Sequence, residues 1–479
     1  MPKAETNRWL ILVIVCLAQF MVVLDATIVN IALPSIQHGL EFSDADLQWV
    51  INAYTLVFGG FLLLGGRAAD LLGRKRLFVA GVVLFSAASL FNGLAQSSSM
   101  LIAGRALQGL GGALVSPAAL SIIMTTFPET NERTRALGVW SAIVAGGAAA
   151  GLLLGGVLTD LLSWEWIFFV NVPVGIAAVA AALRFVPESR DETAQRSFDL
   201  AGATTVTSGL VVLVYGIVKA QEYGWGSGRT LGTLALAVAL LGAFVAIERR
   251  SAAPLVRLSM FRSRTLTAAN ISMTLVASGM FSMFFFVSLY VQEVLGYSPL
   301  KAGFAFLPVT VGMIVGAGAA QGAIRRFGPR AVGVVGVSLA AVGMLWLTGL
   351  PVHGSYVSDL LVGLLPMSIG MGLTFVPVTL LATAGVAAQD SGLASGLLNT
   401  SQQVGGALGL AILSTLAANH ASSQLASGAT RPEALLAGWQ VGFIGGAIVL
   451  ILAAATLVVG LRRRDLEHIN VDAAVPVAA

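Results

Sequence analysis

Residues 66–76 read Gly-Arg-Ala-Ala-Asp-Leu-Leu-Gly-Arg-Lys-Arg, and residues 322–330 read Gly-Ala-Ile-Arg-Arg-Phe-Gly-Pro-Arg. Both stretches are short, basic and glycine-containing, and each lies between two long apolar runs. A membrane-spanning helix needs about 20 mostly apolar residues. Laying that length along the chain places runs near 9–33, 47–69, 77–96, 100–125, 136–159 and 166–186, then 200–218 and 230–248. Six more follow near 265–292, 299–324, 331–350, 356–382, 393–418 and 438–461. The two basic stretches therefore follow the second run and the tenth. With runs seven and eight set aside, they occupy the same place in two sets of six. The expected architecture is an all-α polytopic membrane protein of two six-helix bundles plus two inserted helices, with fourteen spans.

Composition agrees with that reading. The chain is 57% hydrophobic and only 10% charged, against about 25% charged in a soluble domain. Too little polar surface is left to solvate a large enzyme, so the surface must face lipid. The 55 glycines lie inside apolar runs without a period of three, which suggests closely packed helices. Cys16 is the single cysteine, a small apolar filler that leaves no internal disulfide or thiol cluster.

The net charge of +4 could suggest a nucleic-acid partner, but the bases are sorted by membrane side instead. With the N-terminus inside, 22 of the 27 Lys and Arg residues fall on the inner side, from Lys3 and Arg8 to Arg196 and Arg462 to Arg464. Lys219, Arg229, Lys301 and Arg431 fall outside, and Arg105 lies within a span. Short cytoplasmic loops retain Lys and Arg, and one miscounted span would invert every later loop. The sequence thus predicts an inner or plasma membrane protein with both termini cytoplasmic. The first run is too long for a signal peptide and holds Asp25 and Asn30. The domain plan is a bundle over 1–188, a linker at 189–199, two extra helices over 200–249, a linker at 250–264, a second bundle over 265–461 and a tail at 462–479. Spans seven and eight lack embedded charge and are expected to be peripheral.

Asp25 is about 16 residues into span one, roughly 24 Å from the inner surface at 1.5 Å per residue. Arg105 is six residues into the oppositely directed span four, roughly 9 Å from the outer surface. Their heights match. An ionised Asp at a helix centre costs about 2.5–3.5 kcal/mol on insertion scales, so such residues face a cavity or a partner. Movement of Arg105 relative to Asp25 would tie protonation to conformation. A purely structural ion pair is the alternative.

Gly66, Asp70, Gly73, Arg74, Lys75 and Arg76 form a positive anchor in which Asp70 is the odd member. An acid there can latch onto a neighbouring Arg or helix N-terminus, which would make the loop a gate. Span five carries Gly138, Gly147, Gly151, Gly155 and Gly156, including two G-x-x-x-G steps that let another backbone approach; similar steps recur at Gly312/Gly316 and Gly405/Gly409. Asn30, Tyr54, Gln108, Asn399, Gln402 and Gln403 are candidate cavity residues. Met280, Met283, Phe281 and Phe284 to Phe286 read either as adaptable cavity lining or as a lipid-facing or core stripe. The four histidines have no metal-ligand spacing, and no H-E-x-x-H, G-x-S-x-G or phosphate loop occurs. No cofactor or metal is therefore expected, and the protein is not read as an enzyme.

These residues resemble the 14-span drug:proton antiporters of the major facilitator superfamily, the EmrB/QacA-like group, over almost the whole chain. Leu24 to Pro34 is similar to the group's first-span signature, and Gly66 to Arg76 to the superfamily's motif after span two. Gly104 to Gly109 resembles the fourth-span motif, which implies a proton-coupling role for Arg105. The span-five glycines resemble the antiporter motif, with Leu152 in place of its Pro. Trp164 to Phe168 with Asn171 to Pro173, Gly296 to Pro299, and Ser395 to Gly409 resemble further signatures of the group. No acid lies between Pro299 and Ile324, where members that take doubly charged substrates carry one.

The resemblance implies a major facilitator fold and a monomer that exports hydrophobic small molecules, cationic or aromatic ones among them, in exchange for protons. A self-resistance exporter of one natural product is the alternative. A channel would need a continuous lined pore, which lone Asp25 and Arg105 do not supply. The partners expected are protons, a small-molecule substrate and the bilayer, with no nucleic acid.

Overall fold

The computed structural model describes residues 7–190, 199–251, 254–384, 386 and 390–462. Lys3, Arg196, Arg463, Arg464, His468, most of the 189–199 linker and nearly all of the 462–479 tail lie outside them. Among the described residues the regular structure is helical: α1 (Arg8–Gly39), α2 (Trp49–Leu72), α3 (Arg74–Gly93), α4 (Ser98–Thr126), α5 (Thr130–Leu161), α6 (Trp166–Phe169) and α7 (Asn171–Phe185). Then come α8 (Leu200–Tyr223), α9 (Gly228–Arg250), α10 (Arg264–Leu289), α11 (Pro299–Ala305), α12 (Leu307–Leu347), α13 (Val362–Thr383), α14 (Ser391–Ala426) and α15 (Arg431–Gly460). Helix starts are set by local polar chemistry. Asn7, Ser97, Ser263 and Ser298 each accept a backbone N–H at the head of a helix, and Thr430 with Glu433 forms a capping box on α15.

Thirteen described helical stretches are long and apolar enough to cross a membrane. One of them, Pro299–Leu347, has 49 residues, about 74 Å at 1.5 Å per residue, more than twice a bilayer core of about 30 Å. Gly328 breaks it, with φ 80° and ψ 159°. Two crossings therefore lie end to end with a one-residue turn, and fourteen result.

The first basic stretch is built the same way, which corrects its reading as a loop. α2 continues to Leu72 and α3 begins at Arg74, so Gly73 alone turns the chain, with φ 109°. Such a φ is open to glycine and costly for other residues. Ala68 to Leu72 are good helix formers apart from Asp70, which explains why the helix reaches so far. In the second half Pro329 follows Gly328 and supplies the fixed φ that suits a first helical position.

The described residues pack into two units. Those of the first fall within the bounds Met1–Phe42, Trp49–Gly209 and Leu240–Leu255, and those of the second within Ser43–Gln48, Leu210–Ala239 and Val256–Ala479. Within the first, α1 packs on α5, α2 and α3 pack on α4, and α3 and α1 pack on α7. Within the second, α10 packs on α14 and α15, and α12 packs on α13 and α15. Taking α12 as spans ten and eleven, most of these pairings have a counterpart in the other unit, while the packing of α14 on α15 is much closer than that of α5 on α6 and α7.

Glycines make the matching seams. An added Cβ at Gly151 would fall 2.8 Å from the Leu24 carbonyl oxygen and 2.0 Å from Thr27 Oγ1, and one at Gly155 would fall 2.7 Å from the Ile28 oxygen. Gly405 and Gly409 repeat this in the second unit against Thr274 and Ser278 of α10. Of the other span-five glycines, Gly147 packs near Phe20 and Val23, Gly156 is buried, and Gly138 faces open space. Met280, Met283, Phe285 and Phe286 are buried, Phe286 lying edge-on to Phe443, so these belong to the core of the second unit, while Phe281 and Phe284 are half-buried.

Gly151→Ala is expected to prise α1 from α5 and lower the stability of the purified protein by about 1–3 kcal/mol. Gly138→Ala is expected to leave it unchanged or slightly raised. Paired thermal melts of the two variants check this.

Candidate functional site

The fourth-span sequence Gly104-Arg105-Ala106-Leu107-Gln108-Gly109 explains the site locally. A Cβ at Gly109 would sit 2.4 Å from the Tyr54 carbonyl oxygen, so its absence lets α2 and α4 touch backbone to backbone. One turn earlier, Arg105 then reaches across and its Nε donates to the Val50 carbonyl at 2.9 Å. A Cβ at Gly104 would collide with Asn92 Oδ1, so this second glycine makes room for an α3 amide. Arg105 and Gln108 are three residues apart and share a helix face.

On that face the two deep charges expected to pair do so. Arg105 Nη1 donates to Asp25 Oδ2 at 2.5 Å, and the side chains are 1% and 0% exposed. The other carboxylate oxygen, Oδ1, accepts from Gln108 Nε2 at 2.6 Å and from Asn171 Nδ2 at 2.8 Å. Gln108 Oε1 in turn accepts from Arg105 Nη1 and Asn92 Nδ2, each at 2.8 Å. Ser89 Oγ accepts from Gln108 and Asn171 and donates to the Phe168 carbonyl at 2.8 Å. Beneath the guanidinium, the Tyr54 ring lies 4.4 Å away and the Phe168 ring 5.8 Å. Five spans thus converge on one carboxylate.

The arrangement has a clear electrostatic logic. Removing two charges from water costs several kcal/mol each, and only good pairing with every remaining lone pair satisfied offsets that. Asp25 receives three donors, and the guanidinium finds three acceptors and an aromatic face. Chemically, the network offers one carboxylate to take up a proton and one cation whose hold on it depends on that proton. Among the described residues no group of three or more His, Cys, Asp or Glu side chains could hold a metal.

Two candidate cavity residues belong to this network rather than to an open surface. Gln108 is fully buried as a carboxylate donor, and Tyr54 is buried under Arg105. Asn30 turns back on its own helix, donating to the Ala26 and Thr27 carbonyls. In the second unit Asn399 on α14 is exposed, and Gln402 and Gln403 are half-buried. Sequence reasoning missed Ser89, Asn92 and Asn171 as site residues. Their signal was a polar side chain in an apolar run, with Ser89 and Asn92 one turn apart on one face of α3.

The residues expected to gate form a second polar centre where α2 ends, α3 begins and α4 nears its C-terminus. Arg74 donates to Asp70 Oδ1 at 2.8 Å and to Ser121 Oγ at 2.6 Å, so Asp70 pairs with the base four residues on. Glu188, also missed, accepts from the Lys75 and Arg76 backbone N–H groups, each at 3.2 Å, and so caps α3. Lys75 Nζ donates to the Leu183 carbonyl at the end of α7. Gly66 lies against Pro117 of α4, and Gly73 packs on Glu188.

A repeated six-span plan with a buried ion pair inside one bundle defines a polytopic helical membrane transporter. The sequence profile of the Major Facilitator Superfamily matches residues 15–410, and the chain belongs to that family. It is 41% identical over 459 residues to the puromycin resistance protein pur8 of Streptomyces alboniger, covering 95% of this chain and 91% of that one. It is 39% identical to the cephamycin export protein CmcT of Amycolatopsis lactamdurans, covering 92% and 90%. Among solved structures, a bacterial homologue of the human lysosomal transporter Spinster, inward-facing and unoccupied, aligns over 100% of both chains with TM-score 0.68 at 17% identity. The peptide transporter POT aligns over 96% and 95% with TM-score 0.69 at 16% identity.

Removing one charge strands the other in a dry bundle. Asp25→Ala or Arg105→Ala alone is expected to destabilise by about 3–5 kcal/mol, and the double variant by less than either single change. A double-mutant cycle on detergent-purified protein, read by thermal melting, measures the difference.

Proposed function

We propose that this chain is a proton-driven exporter of hydrophobic small molecules, cationic and aromatic ones among them, working by alternating access in the cell membrane. The observation that carries the proton coupling is the fully buried Asp25–Arg105 pair with its ring of neutral partners. Relatives named for puromycin resistance, cephamycin export, and tetracenomycin C resistance and export support export as the direction.

The residues suggest how coupling works. Protonation of Asp25 removes the counter-charge of Arg105 but leaves that side chain three holds: the Val50 carbonyl, Gln108 Oε1 and the Tyr54 ring. Arg105 therefore stays with α2 and α4 while α1 is released from it. The proton enters from the outer side, substrate leaves, and loss of the proton inward restores the pair. One proton moving down 100 mV supplies about 2.3 kcal/mol, which sustains uphill export of a neutral compound. The Asp70–Arg74–Ser121 centre would act as the inner gate, holding α2, α3 and α4 together in one state. Both termini face the cytoplasm on the distribution of Lys and Arg, and the protein acts as a monomer with the proton as its coupling ion.

Everted vesicles given puromycin or ethidium in the outside medium test this reading. Accumulation is expected to saturate and to collapse with an uncoupler, and Asp25→Asn is expected to abolish the dependence on an imposed pH gradient. Export by Asp25→Asn that still scales with the gradient would discard Asp25 as the proton site, and a non-saturating current would favour a channel.

A further inference from the structure

The reading of Asp25 as the proton site leaves a problem that the structure answers. In a water-excluded network a neutral carboxyl group becomes a donor, and its O–H needs an acceptor. As arranged, every neighbour of Asp25 donates to it: Arg105 to Oδ2, and Gln108 and Asn171 to Oδ1. One of them must turn round.

Arg105 has no acceptor to offer. Gln108 is pinned at its other end, because Oε1 accepts from both Arg105 Nη1 and Asn92 Nδ2. Reversing that amide would set its NH2 against two donors, one of them charged. Asn171 has no such constraint. Its Nδ2 touches only Asp25 Oδ1 and, at 3.0 Å, Ser89 Oγ, and a hydroxyl can change from acceptor to donor by rotating. Half a turn of the Asn171 amide would bring its oxygen to both groups, to accept from the protonated carboxyl and from Ser89.

The Ser89 hydrogen now goes to the Phe168 carbonyl. That carbonyl belongs to α6, the short turn separated from α7 at Val170, with Asn171 as the first residue of α7. Redirecting the Ser89 hydroxyl to Asn171 would remove the hydrogen bond that ties α6 to α3, leaving the packing of Phe169 on Gly93. The charged and titratable groups facing Asp25 are Arg105 on α4 and the Tyr54 phenol on α2; α3 brings neutral Ser89 and Asn92, neither bonded to the carboxylate, and α5 meets this part of α1 with glycines.

We propose that Asn171 is the positioning residue that reads the proton on Asp25: its amide donates to the carboxylate, turns to accept from the carboxylic acid, and through Ser89 breaks the hydrogen bond to the outer turn of span six. The covalent change is one O–H bond formed on Asp25, with the proton drawn from the outer aqueous phase. This rests on the proton-site reading above and deepens it.

Infrared pH-difference spectra of the full chain in lipid bilayers test the proposal without any substrate. The wild type is expected to show a protonated-carboxyl band that Asp25→Asn removes. With 15N-labelled asparagine it is also expected to show an amide difference band that shifts on labelling and is lost in Asn171→Leu. Asn171→Leu and Asn171→Ala are both expected to change the carboxyl frequency and to displace its titration midpoint by about one pH unit or more. If Asn171→Leu fails to fold, Asn171→Ala decides. A carboxyl band with unchanged frequency and midpoint in the Asn171 variants, with no label-sensitive amide band, overturns the proposal while leaving Asp25 as the proton site. A band that survives Asp25→Asn, or is missing from the wild type, overturns the proton-site reading itself.

Discussion

Two opposite charges held out of water govern the rest of this structure. Asp25 and Arg105 are tolerable inside a bundle because the carboxylate takes three donors and the guanidinium meets three acceptors and an aromatic face. That requirement reaches outward from the pair. It needs three amides, a serine hydroxyl and two backbone carbonyls, and it needs α1, α2, α3, α4 and the start of span six at fixed separations. The second unit shows no comparable ion pair among the described residues: its buried polar side chains are hydroxyls and the Gln48 and Asn270 amides, with Ser401 donating to Asn270 Oδ1 at 2.8 Å. Two bundles of similar plan thus differ in whether their described residues hold a fully buried ion pair.

The glycines are the means by which the separations are met. Gly104 and Gly109 admit Asn92 and the α2 backbone next to Arg105, and Gly151 and Gly155 seat α5 on the segment of α1 that carries Asp25. Lipid offers no hydrophobic drive for helices to associate, so close packing and internal hydrogen bonds must supply it. A larger residue in either seam would enlarge the gaps that these hydrogen bonds span. Packing and chemistry are in this sense one problem.

Much of this was legible in the sequence for physical reasons. Apolar runs of about 20 residues have no other use at this frequency, and the basic stretches after spans two and ten marked the repeat that the matching helix partners display. Asp25 and Arg105 stood out because charge in a span is costly enough to need a purpose. Less visible was what lies across a helix interface. Gln108 and Tyr54 read as cavity residues because a polar side chain in a span faces either water or a partner, and spacing along one helix does not say which. Asn171 and Ser89 are 82 residues apart in sequence yet bonded in the structure, and nothing local announces such a pair. The basic stretch at 66–76 read as a loop because charge usually marks an aqueous connection, whereas a single glycine with positive φ suffices to turn the chain.

The backbone-to-backbone seams also constrain how such a chain can diverge over generations. Where side chains interdigitate, a loss on one helix can be made good by a gain on its neighbour. Against a bare carbonyl, as at Gly65 facing Ala113 or Gly372 facing Met313, no reciprocal exchange exists. Inherited variation should therefore collect on lipid-facing surfaces and in connections, while the seams admit little besides glycine.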